Sequence, residues 1–213
     1  MLHLAAEPSL SESTQRADND VKTRLLEAAS RLLDEQGPSD LSLRAVARQA
    51  GVSHAAPYNH FANKEALLAT LAVEGWRALD GSMHDAQQMA SPDPFEQLVA
   101  TGLGYLRFAL RRPAAYKLML QREFAAPDLA NALVDCSTSA YDRLLDAVRG
   151  VRAHQDLPLD DQEVNSDALI MWSLVHGMAS LSIDSGLEGL PADDLQVYRQ
   201  LLARVQGMFR RKA

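Results

Sequence analysis

The chain has 213 residues, of which 47% are hydrophobic and 23% are charged, and this composition indicates a globular protein rather than a disordered one. Its single cysteine, Cys136, excludes an internal disulfide and favours a reducing, cytoplasmic setting. No apolar run reaches the roughly 18 residues that span a bilayer, so we expect no membrane partner. The net charge of −7, taken as an average, argues against nucleic acid as a partner.

The amino-terminal part reads as a polar arm followed by helices. Residues 1–19 lack the basic start and the apolar stretch of a secretory signal, and we expect a flexible arm there. Ser42, Ser53 and Asn63 can each accept a hydrogen bond at a helix start, and Gly51 suits a helix end. Apolar periodicity then predicts four helices, at about 20–37, 42–50, 53–61 and 63–88.

The rest of the chain is also helical in pattern. Prolines stand near the boundaries of the predicted helices, where proline is tolerated. Five further helices are predicted at about 94–111, 113–123, 127–153, 161–185 and 192–211. With no alternating strand pattern and no repeat, the sequence predicts an all-α fold of about nine helices.

Residues 41–64 differ in charge from the rest of the chain. This window holds three cations, Arg44, Arg48 and Lys64, and no acid. Two short helices joined by a glycine turn have the spacing of a helix-turn-helix, whose second helix enters the major groove of DNA. Lys64 lies beside free amide groups at a helix start and suits a phosphate; the alternative is a lysine without a role, tolerated there because Glu65 offsets its charge. The window predicts a local DNA-binding face on an acidic protein.

Residues 20–68 resemble the DNA-binding domain of the TetR family of transcriptional regulators. The segments LLEAASRLLDEQG, LSLRAVARQAGVS and YNHFANKEALL carry the resemblance. It implies a DNA-binding domain over 20–66 and a regulatory and dimerisation domain over 67–213. It also implies phosphate contacts from Tyr58, His60 and Lys64, base reading by Ser53, His54, Ala55 and Asn59, and a backbone or base contact from Arg44.

One position departs from the family pattern. Pro57 stands where the family has a residue with an N–H, and in a helix capped by Ser53 it would be the fourth residue. It cannot donate to the Ser53 carbonyl and its ring crowds that carbonyl. We therefore expect a tightened or slightly bent first turn, which affects how far His54 and Ala55 reach.

The carboxy-terminal part is less explicit. The run Trp172-Ser173-Leu174-Val175-His176-Gly177 resembles the WHG-type C-terminal domain of one TetR branch, and the family implies a small-molecule effector here. Each aromatic or Met side chain on the middle helices has core packing as its alternative role, but together they suit an apolar effector. The predicted pocket residues are Tyr105, Phe108, Tyr116, Met119, Phe124, Tyr141, Trp172 and His176.

The last two predicted helices indicate a homodimer. The helix at 161–185 is apolar on nearly all sides from Ala168 to Ile183, so it must be covered on all sides. We expect it to meet its symmetry mate together with the final helix in a four-helix interface; the alternative is one deeply buried helix within a monomer. The predicted interface residues are Ile183, Leu195, Leu202, Val205 and Phe209.

No pattern in the sequence predicts catalysis, a metal or a cofactor. His54 and His60 are six residues apart and would lie on different helix faces, so they do not form a metal site. Gly102-x-Gly104 lies within a helical pattern and is no phosphate loop. We expect a ligand-responsive repressor that binds a palindromic operator. An activator or a ligand-independent regulator is the alternative, and an all-α enzyme with a vestigial helix-turn-helix is the rival from another class.

Overall fold

A computed structural model describes residues 10–121, 129–185 and 195–209. Within these ranges the chain forms eight α-helices and one 3₁₀ helix and has no strand, so the predicted all-α fold is confirmed. None of the described helices combines the length and apolar character that a bilayer crossing requires. The elements are α1 (Leu10–Asp40), α2 (Leu43–Ala50), the 3₁₀ helix (Ala56–Asn59), α3 (Lys64–Gln88), α4 (Pro94–Arg111), α5 (Pro113–Met119), α6 (Ala130–His154), α7 (Asp161–Ser180) and α8 (Leu195–Phe209).

Several predicted boundaries hold because the chain carries the local signals for them. Gly37 has φ 76° and interrupts the helical path of α1 just before Pro38, where the sequence predicts its end. Pro94 occupies the first position of α4, and the Asp93 carboxylate accepts from two amides of that first turn. Asp160 caps α7 in the same way, by accepting from the Glu163 amide at 3.1 Å. These caps satisfy amides that have no partner inside the helix.

Other boundaries need correction. α1 begins at Leu10, so residues 10–19, assigned to a flexible arm from the sequence, are helical. That stretch contains no glycine or proline, and it extends a helix that already exists, which avoids the cost of nucleation. α5 ends at Met119 rather than near residue 123, and α7 gives way to a π-helical turn over Leu181–Ser185.

α3 runs through the middle of the fold and packs against α4, α5 and α6. It crosses α4 very closely at Gly104, where a Cβ atom would lie 2.5 Å from the Met83 Cα and from the Ser82 carbonyl oxygen. The Ser82 hydroxyl donates to the Gly104 carbonyl at 2.8 Å across this crossing. The glycine therefore serves helix packing inside α4, in agreement with the prediction that it is no phosphate loop.

Candidate nucleic-acid interface

α1, α2, the 3₁₀ helix and the start of α3 share a small core. α2 packs against α1 through this core, which leaves the face of α2 that carries Arg44, Arg48 and Gln49 exposed. Burial of the apolar face therefore decides which side chains of α2 reach the solvent. The shared core residues are each at most 6% exposed: Leu25, Ala28, Leu41, Leu43, Val46, Phe61 and Leu67.

The two ends of α2 carry the caps that the sequence predicts. The Ser42 side chain accepts from the Ala45 amide at 3.2 Å. Gly51 ends the helix with φ 67°, and its amide donates to the Arg48 carbonyl at 3.2 Å. A residue with a Cβ is strained in this left-handed conformation, so glycine sets the direction in which the chain leaves α2.

Arg24 holds this turn from α1, a role that the sequence analysis missed. Its Nη2 donates to the Ala50 carbonyl at 2.6 Å and reaches the Gly51 carbonyl at 3.4 Å. A cation at these carbonyls satisfies groups that have no partner in the helix and complements the negative end of the α2 dipole. Because the partner carbonyls lie 26 and 27 residues further along the chain, helical periodicity gives no signal for this contact.

The recognition segment, residues 53–59, corrects the prediction of a third α-helix capped by Ser53. Only Ala56–Asn59 are helical, as a single 3₁₀ turn with no side-chain cap. The Ser53 carbonyl accepts from the Ala56 amide at 3.1 Å, an i to i+3 bond. In an α-helix residue 57 would make that bond, and Pro57 has no N–H to give. The expected tightening at Pro57 is thus confirmed, and it is severe enough to replace the whole predicted helix.

The polar side chains of the recognition segment are on the surface. Tyr58 is 55% exposed. Tyrosine and histidine can donate to phosphate, and asparagine can pair with adenine through two hydrogen bonds. The exposed positions are Ser53, His54, Ala55, Tyr58 and Asn59, which are the five predicted positions on this segment.

Two arginines of α2 add positive charge beside this segment. Arg44 and Arg48 are exposed, and within the described part of the chain neither side chain has a hydrogen bond or an ion pair. Their guanidinium groups are therefore available to an external anion, and phosphate suits their forked geometry. Arg48 is missing from the predicted contact residues although its charge counted toward the acid-free window.

His60 lies elsewhere than the resemblance implies. Its side chain is only 6% exposed, and its Nε2 stands 3.6 Å from the Asp18 carboxylate of α1. The ring also lies beside Phe61, with centroids 6.3 Å apart. Asp18 lies in the stretch that the sequence analysis assigned to a flexible arm. His60 is therefore a packing residue in this structure rather than a surface group for phosphate.

Lys64 has a partner inside the protein. Its Nζ donates to the Ser39 carbonyl at 2.8 Å, which ties the start of α3 to the last turn of α1. The predicted cap of α3 is confirmed, since Asn63 Oδ1 accepts from the Ala66 amide at 2.8 Å. An ammonium has three N–H donors, so two remain for another acceptor. A phosphate contact from Lys64 stays a prediction.

The residues predicted to line an effector pocket lie close together, but their side chains pack tightly against one another. Tyr105, Phe108, Tyr116 and Met119 are at most 5% exposed, and Phe124 lies outside the described residues. The Trp172 ring packs against Tyr105, Tyr141 and Trp76, with centroids between 5.2 and 6.3 Å apart. The cavity beside Trp172 and Tyr105 has a volume of about 10 Å³, which is at most the room for one water molecule.

A buried polar cluster joins three helices within these residues. The Tyr116 hydroxyl lies 2.8 Å from His176 Nδ1 and 3.0 Å from the Tyr105 hydroxyl, which is itself 3.1 Å from the same nitrogen. Burial raises the pKa of both tyrosines, so their hydroxyls stay neutral. The cluster links α4, α5 and α7 through groups that satisfy one another.

One of the predicted dimer residues, Leu202, needs correction. Leu202 is 1% exposed and packs inside its own chain, where its Cδ1 would be 3.0 Å from a Cβ on Gly102. Ile183, Leu195 and Val205 are half-buried, and the Phe209 side chain is not among those described.

α7 and its extension carry three large, exposed apolar side chains. Leu169 is 58% exposed, Ile170 48% and Leu181 45%. A Cβ on Gly177 would meet no atom of the described residues within 4 Å, so none of these residues covers α7 at that point. An apolar helix face of this kind, without cover from the described residues, is the kind of surface that a partner buries.

Two family descriptions match the chain. Residues 25–71 match the bacterial regulatory proteins of the tetR family, and residues 98–205 match the tetracyclin repressor-like C-terminal domain. The first match covers α2, the recognition segment and the start of α3. The second covers more than half of the chain and includes most of α4 and all of α5, α6 and α7.

Solved structures agree with these matches. A protein with unknown function from Rhodococcus sp. RHA1 is 31% identical, covers 87% of this chain and 94% of its own, and has a TM-score of 0.73. The TetR family regulator PfmR from Thermus thermophilus is 21% identical over 85% of this chain and 97% of its own, with a TM-score of 0.62. The fatty acid degradation regulator FadR from Bacillus halodurans is 17% identical over 84% and 93%, also with a TM-score of 0.62. The chain belongs to the TetR family of DNA-binding transcriptional regulators, which are not enzymes.

Proposed function

We propose that this chain is a homodimeric repressor that binds a palindromic operator and releases it when a small apolar or amphipathic effector binds. The observation that carries the proposal is the exposed face formed by Arg44, Arg48 and the recognition segment. This face has positive charge without an acidic partner among the described residues. It also has hydrogen-bonding groups beside that charge. The proposed place of action is the cytoplasm, where the DNA lies.

Different side chains contact the phosphates and the base edges of the DNA. Arg44, Arg48 and Lys64 supply charge to phosphates, which provides most of the affinity and its dependence on salt. Ser53, His54 and Asn59 are exposed side chains of the recognition segment that carry hydrogen-bonding groups suited to base edges. Because the segment is one 3₁₀ turn rather than a long helix, few base pairs in each half-site are read directly.

Dimerisation places two such faces on one duplex. The apolar side of α7 that no described residue covers, with Leu169 and Leu181, supports this helix as the centre of the interface. Successive major grooves on one side of B-DNA lie about 34–36 Å apart, so we expect the dimer to hold its two recognition segments at that spacing. The expectation of a WHG-type C-terminal domain belongs to the same proposal, and it rests on the residues Trp172 to Gly177.

Effector control requires contact between the two parts of the chain. Arg112, at the start of α5, donates to the Asp34 carboxylate at 3.2 Å and to the Ser30 hydroxyl, both on α1. α5 also carries Tyr116, which meets His176 of α7. A ligand that prefers one arrangement of α4, α5 and α7 would therefore bias the position of α1 and the spacing of the two recognition segments. An activator or a ligand-independent regulator of the same fold is the alternative.

The proposal is tested with the full chain and the DNA upstream of its own gene. Light scattering measures the mass in solution, and fluorescence anisotropy measures binding to overlapping duplex fragments at low salt. The proposal expects a dimer that binds one fragment with a palindrome, and a reporter gene behind that fragment that is switched off. A monomer, or a chain that binds no duplex, contradicts the regulator dimer. Activation of the reporter contradicts the repressor and favours the alternative.

A further inference from the structure

An apolar cleft of the regulatory part lies away from the predicted effector pocket. It opens between the first turns of α4, the end of α6 and the start of α7, and its volume is about 360 Å³. This volume falls within the range of roughly 300–1,000 Å³ that is usual for small-molecule sites. None of the eight predicted pocket residues lines it. Its apolar walls are formed by Phe95, Leu98, Val148, Val151, Ile170 and Met171; we call it the distal cleft.

The one arginine that lines the distal cleft is already occupied. The Arg152 side chain is 7% exposed, and its Nε donates to the Pro158 carbonyl at 2.7 Å. Its Nη1 donates to Asp167 Oδ2 at 2.5 Å, and its Nη2 lies 3.6 Å from Glu163 Oε2. Two carboxylates and a carbonyl thus surround one guanidinium. Arg152 is therefore not free to bind an anionic ligand, and the charged groups that line the cleft sum to −1.

The surroundings of the cleft keep this negative sign. The sequence has no Lys or Arg between Arg152 and Arg199. Arg149, one turn before Arg152, is paired with Asp146 at 3.1 Å and with Asp161 at 3.6 Å. Glu163 and Asp167 have side chains 59% and 40% exposed, so both carboxylates can be reached from the mouth of the cleft.

We infer that the distal cleft binds a small amphipathic cation, with an apolar body against its walls and a protonated amine or quaternary ammonium beside Glu163 and Asp167. An anionic head would meet two carboxylates and no available cation, while a neutral head would leave their excess charge unused. Binding itself can be tested without DNA. The inference rests on the proposed function only for the further consequence that such a cation is the effector.

Three probes that share one apolar body but differ in the charge of the head group test which ligand charge the cleft prefers. Isothermal titration calorimetry of the full chain at pH 7 compares 4-phenylbutylammonium, 4-phenylbutanol and 4-phenylbutyrate. The inference expects the ammonium to bind most tightly and the carboxylate most weakly. It also expects the preference for the ammonium to shrink as salt rises, because the carboxylates are partly exposed.

Three variants locate the binding. Glu163→Gln removes the more exposed carboxylate and should weaken the ammonium about two- to five-fold while leaving the alcohol unchanged. Asp142→Asn removes an exposed acid of α6 that does not line the cleft, and it should change nothing. Val151→Trp fills the cleft and should abolish binding of all three probes. Thermal unfolding checks that each variant is folded. If Val151→Trp does not fold, the loss of ammonium binding in Glu163→Gln alone tests the location of the site.

Equal affinity for the three heads, tighter binding of the carboxylate, no binding of any probe at millimolar concentration, or an equal loss in Glu163→Gln and Asp142→Asn would each overturn the inference. DNA affinity is measured separately on the same preparations. Intact DNA binding without a cation preference overturns the distal cleft alone. A cation preference without DNA binding overturns the proposed function alone.

Discussion

Two stretches of this chain have opposite charge, and the contrast explains how an acidic protein can present a face to DNA. Residues 41–64 hold three cations and no acid, whereas residues 153–198 hold nine acids and no Lys or Arg. The cationic stretch forms α2, the recognition segment and the start of α3. The acidic stretch includes α7 and the connection before it, and α7 packs mainly against α4 and α6. The net charge of −7 therefore describes neither surface.

The difference teaches that charge must be considered together with exposure and pairing. Arg44 and Arg48 are exposed and, among the described residues, unpaired, while Arg152 is buried between carboxylates. The same residue type is thus available to an external polyanion in one place and is held in an internal ion pair in the other. An electrostatic field that attracts DNA at one face and repels it at another also orients the encounter.

Reversing the cationic face should have the largest effect. The double variant Arg44→Glu/Arg48→Glu should lower DNA affinity at low salt by about 100-fold or more, because four contacts per dimer become repulsive. The control Gln162→Glu/Asn165→Asp adds negative charge to the acidic stretch and should change affinity less than about two-fold. Anisotropy titrations compare them. A similar loss in both would show that net charge, not the local face, governs binding.

Removing one base-reading group should have a smaller and more selective effect. Asn59→Ala should cost about 1–3 kcal/mol at a single base position of each half-site, since its amide can make two hydrogen bonds to one base. Binding to an operator library with each position varied measures this loss. If affinity falls evenly across all sequences, Asn59 contacts only the backbone of the DNA.

Lys64 separates a DNA contact from a structural tie. In Lys64→Ala the bond to the Ser39 carbonyl is lost, and one phosphate contact per protomer goes with it. The slope of log affinity against log salt should flatten by about one for each contact, while Lys64→Arg should restore most of it. A lower melting temperature with an unchanged slope would leave Lys64 only its internal role.

The smallest effect on DNA affinity is expected from Glu163→Gln, a variant of the acidic stretch. Glu163→Gln weakens the ammonium probe at the distal cleft but should alter DNA affinity in the absence of probe by less than about two-fold. A large gain in DNA affinity would mean that the acidic stretch repels the bound duplex directly. Titrations with and without probe on the same preparation measure both quantities.

Local signals in the sequence predict much of the fold. Ser42, Gly51 and Asn63 cap helices as expected, because each cap involves a backbone group within four residues. Pro57 lacks a donor whatever surrounds it, so the disturbance of the third helix could be foreseen. The extent of this disturbance could not be foreseen, since a 3₁₀ turn and a bent α-helix differ too little in free energy to be distinguished from residue types.

Contacts between residues far apart in the chain could not be predicted from the sequence. The Ser39 carbonyl that engages Lys64 lies 25 residues away, and Asp18, which faces His60, comes from a stretch without apolar periodicity. The residues predicted to form the effector pocket do lie together. Whether they leave a cavity depends on packing differences of about an ångström, which residue types do not reveal. Periodicity marks Leu202 as apolar but does not distinguish a chain's own core from a partner's surface.

The dependence of DNA affinity on salt tests the central claim most directly. If Arg44, Arg48 and Lys64 of both protomers each neutralise one phosphate, log affinity should fall linearly with log salt with a slope of about −5. The double variant Arg44→Glu/Arg48→Glu should lose most of that slope. A wild-type slope near zero, or a wild-type chain that binds no duplex at low salt, would contradict the account.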